Sequence, residues 1–220
     1  MRRGLVALST VLLLGGLAGC GSSTSSGDGP VVSGVSTSDD HGYNGAFLPS
    51  PYQVGDATLT DDTGKPFSLT KDTAGRLNLV FFGYTKCPDV CQIVMGTIAS
   101  AYARLDDAQK KQVQVLFVTT DPGRDTEQVL RDYLARLDPT FMGIRGSIDQ
   151  IDAAGKPLHV FVKKGTPLPD GGYEVSHTTS VYAVAGNGQV PVVWNATTSP
   201  SEMSADIVKL LDSGKAEASS

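Results

Sequence analysis

The chain has 220 residues, 40% of them hydrophobic and 19% charged, which suits one globular domain with a two-layer core plus some unfolded material. Its net charge of −5 comes with no basic stripe to meet phosphates, so a nucleic-acid partner is not expected. No internal repeat of any period is present, which excludes a solenoid or propeller.

The N-terminal segment reads as a targeting signal. Arg2 and Arg3 form a short basic start, and residues 5–17 are an apolar run too short and too glycine-rich for a membrane span, which needs ~20 apolar residues. The run ends in Leu17-Ala18-Gly19-Cys20, which resembles the bacterial lipobox, small residues before a cysteine that receives lipid. Residues 1–19 are therefore expected to be a lipoprotein signal peptide and Cys20 the lipidated residue. Residues 20–50, rich in Gly, Ser and Asp at their start, are expected to be a flexible tether that cannot bury apolar surface. This implies a lipid-anchored protein on the extracytoplasmic face of the cell membrane, where thiols can be oxidised. Of the three cysteines, Cys87 and Cys91 then remain as a pair by elimination.

Residues 51–213 carry the pattern of a mixed α/β domain, with 214–220 as a frayed tail. Residues 58–60 and 67–69 flank an Asp- and Gly-containing turn and predict a hairpin. The nearly continuous apolar run 77–82 predicts a central strand buried on both faces. A helix is expected over 88–106, a second buried strand over 113–119 and a helix over 126–137, with Thr126 near its start. A short strand near 141–144 and a short helix over 148–154 follow. The last third predicts strands at 159–162 and 179–185, a turn at Gly186-Asn187-Gly188 into a partner strand at 190–194, and a closing helix over 201–211. This order, with hairpins towards both ends of a mixed central sheet flanked by helices, is that of a thioredoxin-like fold.

The chemically informative segment runs from Phe81 through Cys87-Pro88-Asp89-Val90-Cys91. It leaves a buried strand, turns and opens a helix. Pro88 suits the first helical position and Asp89 the first turn, which places Cys87 at the helix N-terminus, where the dipole favours a thiolate. Cys91 lies one turn on, with the two Cα atoms roughly 6 Å apart in ideal geometry. That spacing permits reversible disulfide formation, ligation of a soft or borderline metal by two thiolates, or a purely structural disulfide.

Three segments together resemble the SCO/SenC family of copper proteins, which serve in assembling the CuA centre of cytochrome c oxidase. They are Phe82-Gly83-Tyr84-Thr85-Lys86-Cys87-Pro88-Asp89-Val90-Cys91, then Asp121-Pro122-Gly123-Arg124-Asp125-Thr126, then Ser176-His177-Thr178-Thr179. The likeness covers about 52–211 and leaves out the tether. Ser176 stands where the family often has Asp, and Gln92 where many relatives have Pro; neither change removes a ligand atom.

The resemblance implies that Cys87, Cys91 and His177 hold a copper ion, Cu(I) or Cu(II), with the cysteines a redox pair that forms a disulfide when oxidised. Two thiolates suit Cu(I), and an added imidazole accommodates Cu(II) as well. His41 reads as a solvated tether residue and His159 as a packed histidine opening a strand. Asp121 is expected beside the site, orienting or charging it, or else as a turn aspartate before Pro122. Lys86 is either a helper of the Cys87 thiolate or simply solvated. The implied role is a metallochaperone for the oxidase rather than a classical enzyme. Its partners would be the CuA-bearing subunit II and another extracytoplasmic copper chaperone. A thiol–disulfide oxidoreductase that reduces the cysteines of the oxidase copper site is the alternative. A thiol peroxidase or redox sensor would need no histidine ligand.

Overall fold

Leu77–Gly83 is apolar apart from Asn78 and buried at every position, because helices cover one face and a hairpin with a further helix covers the other. A computed structural model of the chain describes residues 41–167 and 173–218. In chain order the strands are β1 (Ala46–Gln53), β2 (Thr58–Asp61), β3 (Pro66–Ser68), β4 (Leu77–Gly83), β5 (Val113–Thr119), β6 (Met142–Arg145), β7 (Val162–Pro167), β8 (Tyr173–His177), β9 (Val181–Val184) and β10 (Gln189–Trp194). The helices are α1 (Val90–Ala103), α2 (Asp107–Lys110), α3 (Glu127–Leu134), α4 (Ile148–Gly155) and α5 (Pro200–Ala218). Among the described residues, eight strands form one sheet in the order β1-β10-β9-β4-β5-β6-β2-β3, and β7 and β8 form a separate two-stranded sheet.

β4, β5 and β6 run parallel, with Leu77 level with Val113 and Gly83 level with Thr119. On its other side β4 pairs antiparallel with β9, which leads through β10 to the edge strand β1. Side chains alternate across this sheet. Leu79, Phe81, Val115 and Phe117 point into a core closed by α1, α3 and α5. Val80, Phe82, Leu116 and Val118 point into a second core closed by α4 and the β2–β3 hairpin. Each fully buried Phe or Leu here contributes about 1.5–3 kcal/mol relative to exposure. Local capping agrees with this framework. Thr126 Oγ1 accepts from the Val129 amide ahead of α3, and Ser147 and Gln150 make a reciprocal capping box ahead of α4. The expected thioredoxin-like sandwich is the fold observed.

Four expectations on element boundaries require correction. The domain does not begin at residue 51: β1 starts at Ala46, and Tyr43 is already buried. Pro49 and Pro51 hide this strand in the sequence, and the structure accommodates them on a sheet edge where the register shifts between Phe47 and Tyr52. Helix α1 begins at Val90 rather than Pro88, with Asp89 as an N-cap whose side chain makes no capping bond. No strand opens at His159. A 3₁₀ turn, Lys156–Leu158, ends there with His159 at φ 55°, and β7 starts only at Val162. Helix α5 continues past the expected end at 211 and the expected domain end at 213, to Ala218, through Gly214, a tolerable cost of about 1 kcal/mol for a helical glycine.

Candidate metal centre

The cysteine motif occupies the crossing from β4 to α1. The Cys87 amide donates to the Tyr84 carbonyl at 3.2 Å and closes a turn, and Cys91 becomes the second residue of α1. The Cys91 amide points at Cys87 Sγ, 3.5 Å away, so a helix-start N–H is aimed at the first sulfur. No disulfide joins the two cysteines, and both are buried, Cys87 at 5% exposure and Cys91 at 0%. Burial pushes the Cys91 thiol well above its ordinary value; the neighbouring Cys87 and Asp125 add to the rise, and the Tyr84 backbone opposes it in part. Gly83 is required at the strand end. A Cβ there would lie 2.7 Å from the Phe81 ring and 3.3 Å from Cys91 Sγ. Lys86 is exposed.

The second motif leaves β5 alongside. Because β4 and β5 are parallel and in register, Thr119 lies level with Gly83, and the Thr120 amide donates to the Gly83 carbonyl at 2.7 Å. Asp121 is fully buried and accepts from Arg124 Nε, while the Arg124 guanidinium sits 5.8 Å over the Tyr84 ring. Asp121 therefore reaches the cysteine loop through Arg124 and Tyr84.

A neighbour given no role at the site by the sequence motifs makes the most direct tie. The Asp125 carboxylate accepts from the Thr85 amide (3.0 Å), Thr85 Oγ1 (2.6 Å) and Thr119 Oγ1 (2.6 Å). Burial raises its pKa, the Thr119 and Thr85 hydrogen bonds lower it, and Asp121 raises it further. The only sequence signal for this link is that Thr85 and Asp125 each lie within a recognised motif. Tyr133 on α3 also belongs to the surroundings: burial first, then the charges of Cys91 and Cys87, push its hydroxyl up to about 12.

The third motif arrives on the two-stranded sheet. His177 is the last residue of β8, its backbone paired with Val162, and its side chain lies outside the described part of the structure. It is thus a strand residue, in the same strand as Tyr173 and Glu174, while 171 and 172 fall outside the described residues. The Thr178 amide donates to the Phe161 carbonyl at 3.2 Å, and Val181, four residues after His177, lies level with Phe81 on β4. Since β9 runs antiparallel to β4, the chain that enters it comes from the end of the sheet where the cysteine loop leaves. The first two motifs therefore lie at the C-terminal end of β4 and β5, the end at which open α/β sheets place their ligands, and the chain that follows the third enters β9 from that same end.

The other histidines stay apart from this assembly. His159 is exposed, its ring 4.9 Å from that of Tyr52, which corrects the expectation of a packed residue. His41 is exposed with its ring 4.3 Å from Phe47. Among the described residues no three His, Cys, Asp or Glu side chains gather in metal-binding geometry, and Cys20 falls outside them. The donor set of Cys87 and Cys91 nevertheless fits a soft cation: two adjacent thiols with no bond between them, on a fixed turn.

Fold and site thus define a thioredoxin-like domain with a Cys-x-x-x-Cys dithiol at the active end of its sheet. The family model SCO1/SenC matches residues 49–212, and the chain belongs to that family. It is 32% identical over 148 residues to the yeast (Saccharomyces cerevisiae) "Protein SCO2, mitochondrial", a match that covers 67% of this chain and 47% of that protein. The chain thus spans about half the length of that relative. It is similar to the structure of Bradyrhizobium japonicum ScoI with copper bound, at 32% identity and TM-score 0.64 over 71% of this chain and 98% of the other. It is also similar to BsSco, described as a member of the Sco family of cytochrome c oxidase assembly proteins with a disulfide switch. That match has 25% identity and TM-score 0.60 and covers 74% of this chain and 95% of the other.

Proposed function

We propose that this chain binds copper through Cys87, Cys91 and His177 and hands it on for assembly of the CuA centre of cytochrome c oxidase. The observation that carries this reading is the Cys87–Cys91 pair, without a disulfide, at the end of the sheet from which the chain following His177 enters β9. The copper-bound ScoI relative and the oxidase-assembly description of BsSco support the cargo and the destination. The partners would be the CuA-bearing subunit II and a second extracytoplasmic copper chaperone. In this role the buried cysteines hold the ion out of water, the Cys91 amide stabilises the Cys87 thiolate, and both sulfurs give up their protons on loading.

Lipidation at Cys20, after removal of residues 1–19, would hold the domain on the extracytoplasmic face of the membrane. The fold suits this arrangement. β1 runs antiparallel to β4, and Ala46 lies level with Val80 through β10 and β9, so the preceding chain joins the domain at the site's end of the sheet. Cys20→Ala is expected to move the protein out of the membrane fraction; unchanged membrane retention of this variant would count against the anchor.

The second reading is a thiol–disulfide reductase acting on the cysteines of the oxidase copper site. It is favoured by the same adjacent reduced cysteines, one of which receives a backbone N–H. His177→Ala separates the two. A carrier loses Cu(II) binding strongly and Cu(I) binding less, because two thiolates still hold the softer ion, whereas thiol exchange needs no imidazole. CuA absorbance in membranes of a His177→Ala strain is the measurement, with Cys87→Ala disabling both mechanisms. Normal CuA levels without His177, but not without Cys87, would leave the reductase standing.

A further inference from the structure

The buried carboxylate of Asp125 bonds the Thr85 amide, the Thr85 hydroxyl and the Thr119 hydroxyl, each of which can donate to it. Thr119 Oγ1 already accepts from the Asp121 amide at 3.0 Å, so its own proton is directed to Asp125 Oδ2. The Thr85 amide donates to the same oxygen, and the Thr85 hydroxyl meets Oδ1. Donors on both oxygens favour the ionised form and oppose the rise in pKa that burial causes. Asp125 makes no ion pair among the described residues: the nearby guanidinium of Arg124 is committed to Asp121. The residue is 0% exposed, so water does not screen it. Its charge reaches Cys91, and it grips the chain two residues before Cys87.

We propose that Asp125 is a positioning residue for the cysteine site. It fixes the loop ahead of Cys87 through Thr85, and its unpaired buried charge makes the site favour a dipositive metal ion over a monopositive one. The inference rests on the metal-binding reading above and adds to it the device that sets which oxidation state is held. An extra negative charge close to the two sulfurs interacts twice as strongly with Cu(II) as with Cu(I). Removing it weakens both and the dication more. Loop fixing alone would weaken both ions alike, so the ratio of the two affinities separates charge from scaffold.

The experiment uses the reduced full chain and two variants. Asp125→Asn keeps the shape and one acceptor oxygen but removes the charge. Thr85→Val removes one loop bond and keeps the charge. Cu(I) and Cu(II) affinities are measured by competition with chelators, and backbone amide exchange at residues 85–87 is followed in the metal-free protein. Asp125→Asn is expected to lower the Cu(II)-to-Cu(I) affinity ratio about tenfold, while Thr85→Val changes it by less than about twofold. Amide exchange at 85–87 should quicken in Asp125→Asn. An unchanged ratio in Asp125→Asn, with the wild type binding both ions, would overturn the charge role, and unchanged exchange would overturn the positioning role. If the wild type binds neither ion, the copper reading itself fails and with it the metal preference, while the exchange arm still decides the positioning role.

Discussion

Asp206→Ala is the perturbation with the clearest structural cost. Asp206 sits on α5 at 1% exposure and gathers four donors: the Asn44 amide (2.9 Å), Asn44 Nδ2 (2.9 Å), the Gly45 amide (2.8 Å) and Trp194 Nε1 (2.8 Å). It thus ties the segment entering β1 to the end of β10. Alanine would leave the indole N–H and the Gly45 amide buried without an acceptor. Each such group costs about 1–3 kcal/mol, and the two groups of Asn44, being partly exposed, recover solvent bonds. The saved cost of burying a carboxylate offsets part of this, leaving a loss of about 3 kcal/mol. For a domain of this size that lowers Tm by roughly 6–12 °C. Thermal unfolding of the purified protein, followed by circular dichroism and Trp194 fluorescence, is the assay. A Tm within about 2 °C of wild type would refute the reasoning, because the carboxylate could not then be what satisfies Trp194 and Gly45.

Two further outcomes follow from the same structure. Gly83→Ala should destabilise by about 1–3 kcal/mol and disturb thiol reactivity, because the new Cβ meets the Phe81 ring at 2.7 Å and Cys91 Sγ at 3.3 Å; a shift in urea midpoint together with altered alkylation of Cys91 is the readout. Stability should fall as pH rises above about 9, since Cys91 keeps in the native state a proton that the unfolded chain, with its ordinary value of 9.0, releases; buried Tyr133 and Tyr182 add to the decline above 10.0, and a flat urea midpoint between pH 8 and 11 under reducing conditions would contradict it.

The central elements were legible because burial on both faces leaves a plain mark. Residues 77–82 and 113–119 are almost wholly apolar, and they are β4 and β5. The helix starts at Thr126 and Ser147 follow from side chains that satisfy amides locally, so they need no tertiary information. β1 was not legible: Pro49 and Pro51 argue against a strand, and only pairing with β10 and the Asp206 clamp make one. The turn at His159 was equally hidden. Its left-handed conformation is held by hydrogen bonds from the His159 amide to the Lys156 carbonyl and from the Val160 amide to the Gly155 carbonyl, which no residue type announces.

At the site, residue identity and residue environment separate. Spacing alone placed Cys87 and Cys91 one turn apart, and the structure keeps them there, with the Cys91 amide on Cys87 Sγ. The electrostatics differ. A helix-start cysteine suggests an easily formed thiolate, yet burial beneath Gly83, Phe81 and Phe117 holds the Cys91 thiol neutral in the metal-free protein. Depth of burial is a property of the sheet above the motif, and five residues of sequence do not encode it. That residues 87 and 121 lie at the end of the sheet from which the chain after residue 177 enters is likewise a consequence of strand direction. β4 and β5 point the same way and β9 points back, so two strand exits and one strand entrance share an end. Reversing any one of these strands would place its motif at the far end of the sheet, some 20 Å away at about 3.3 Å per residue.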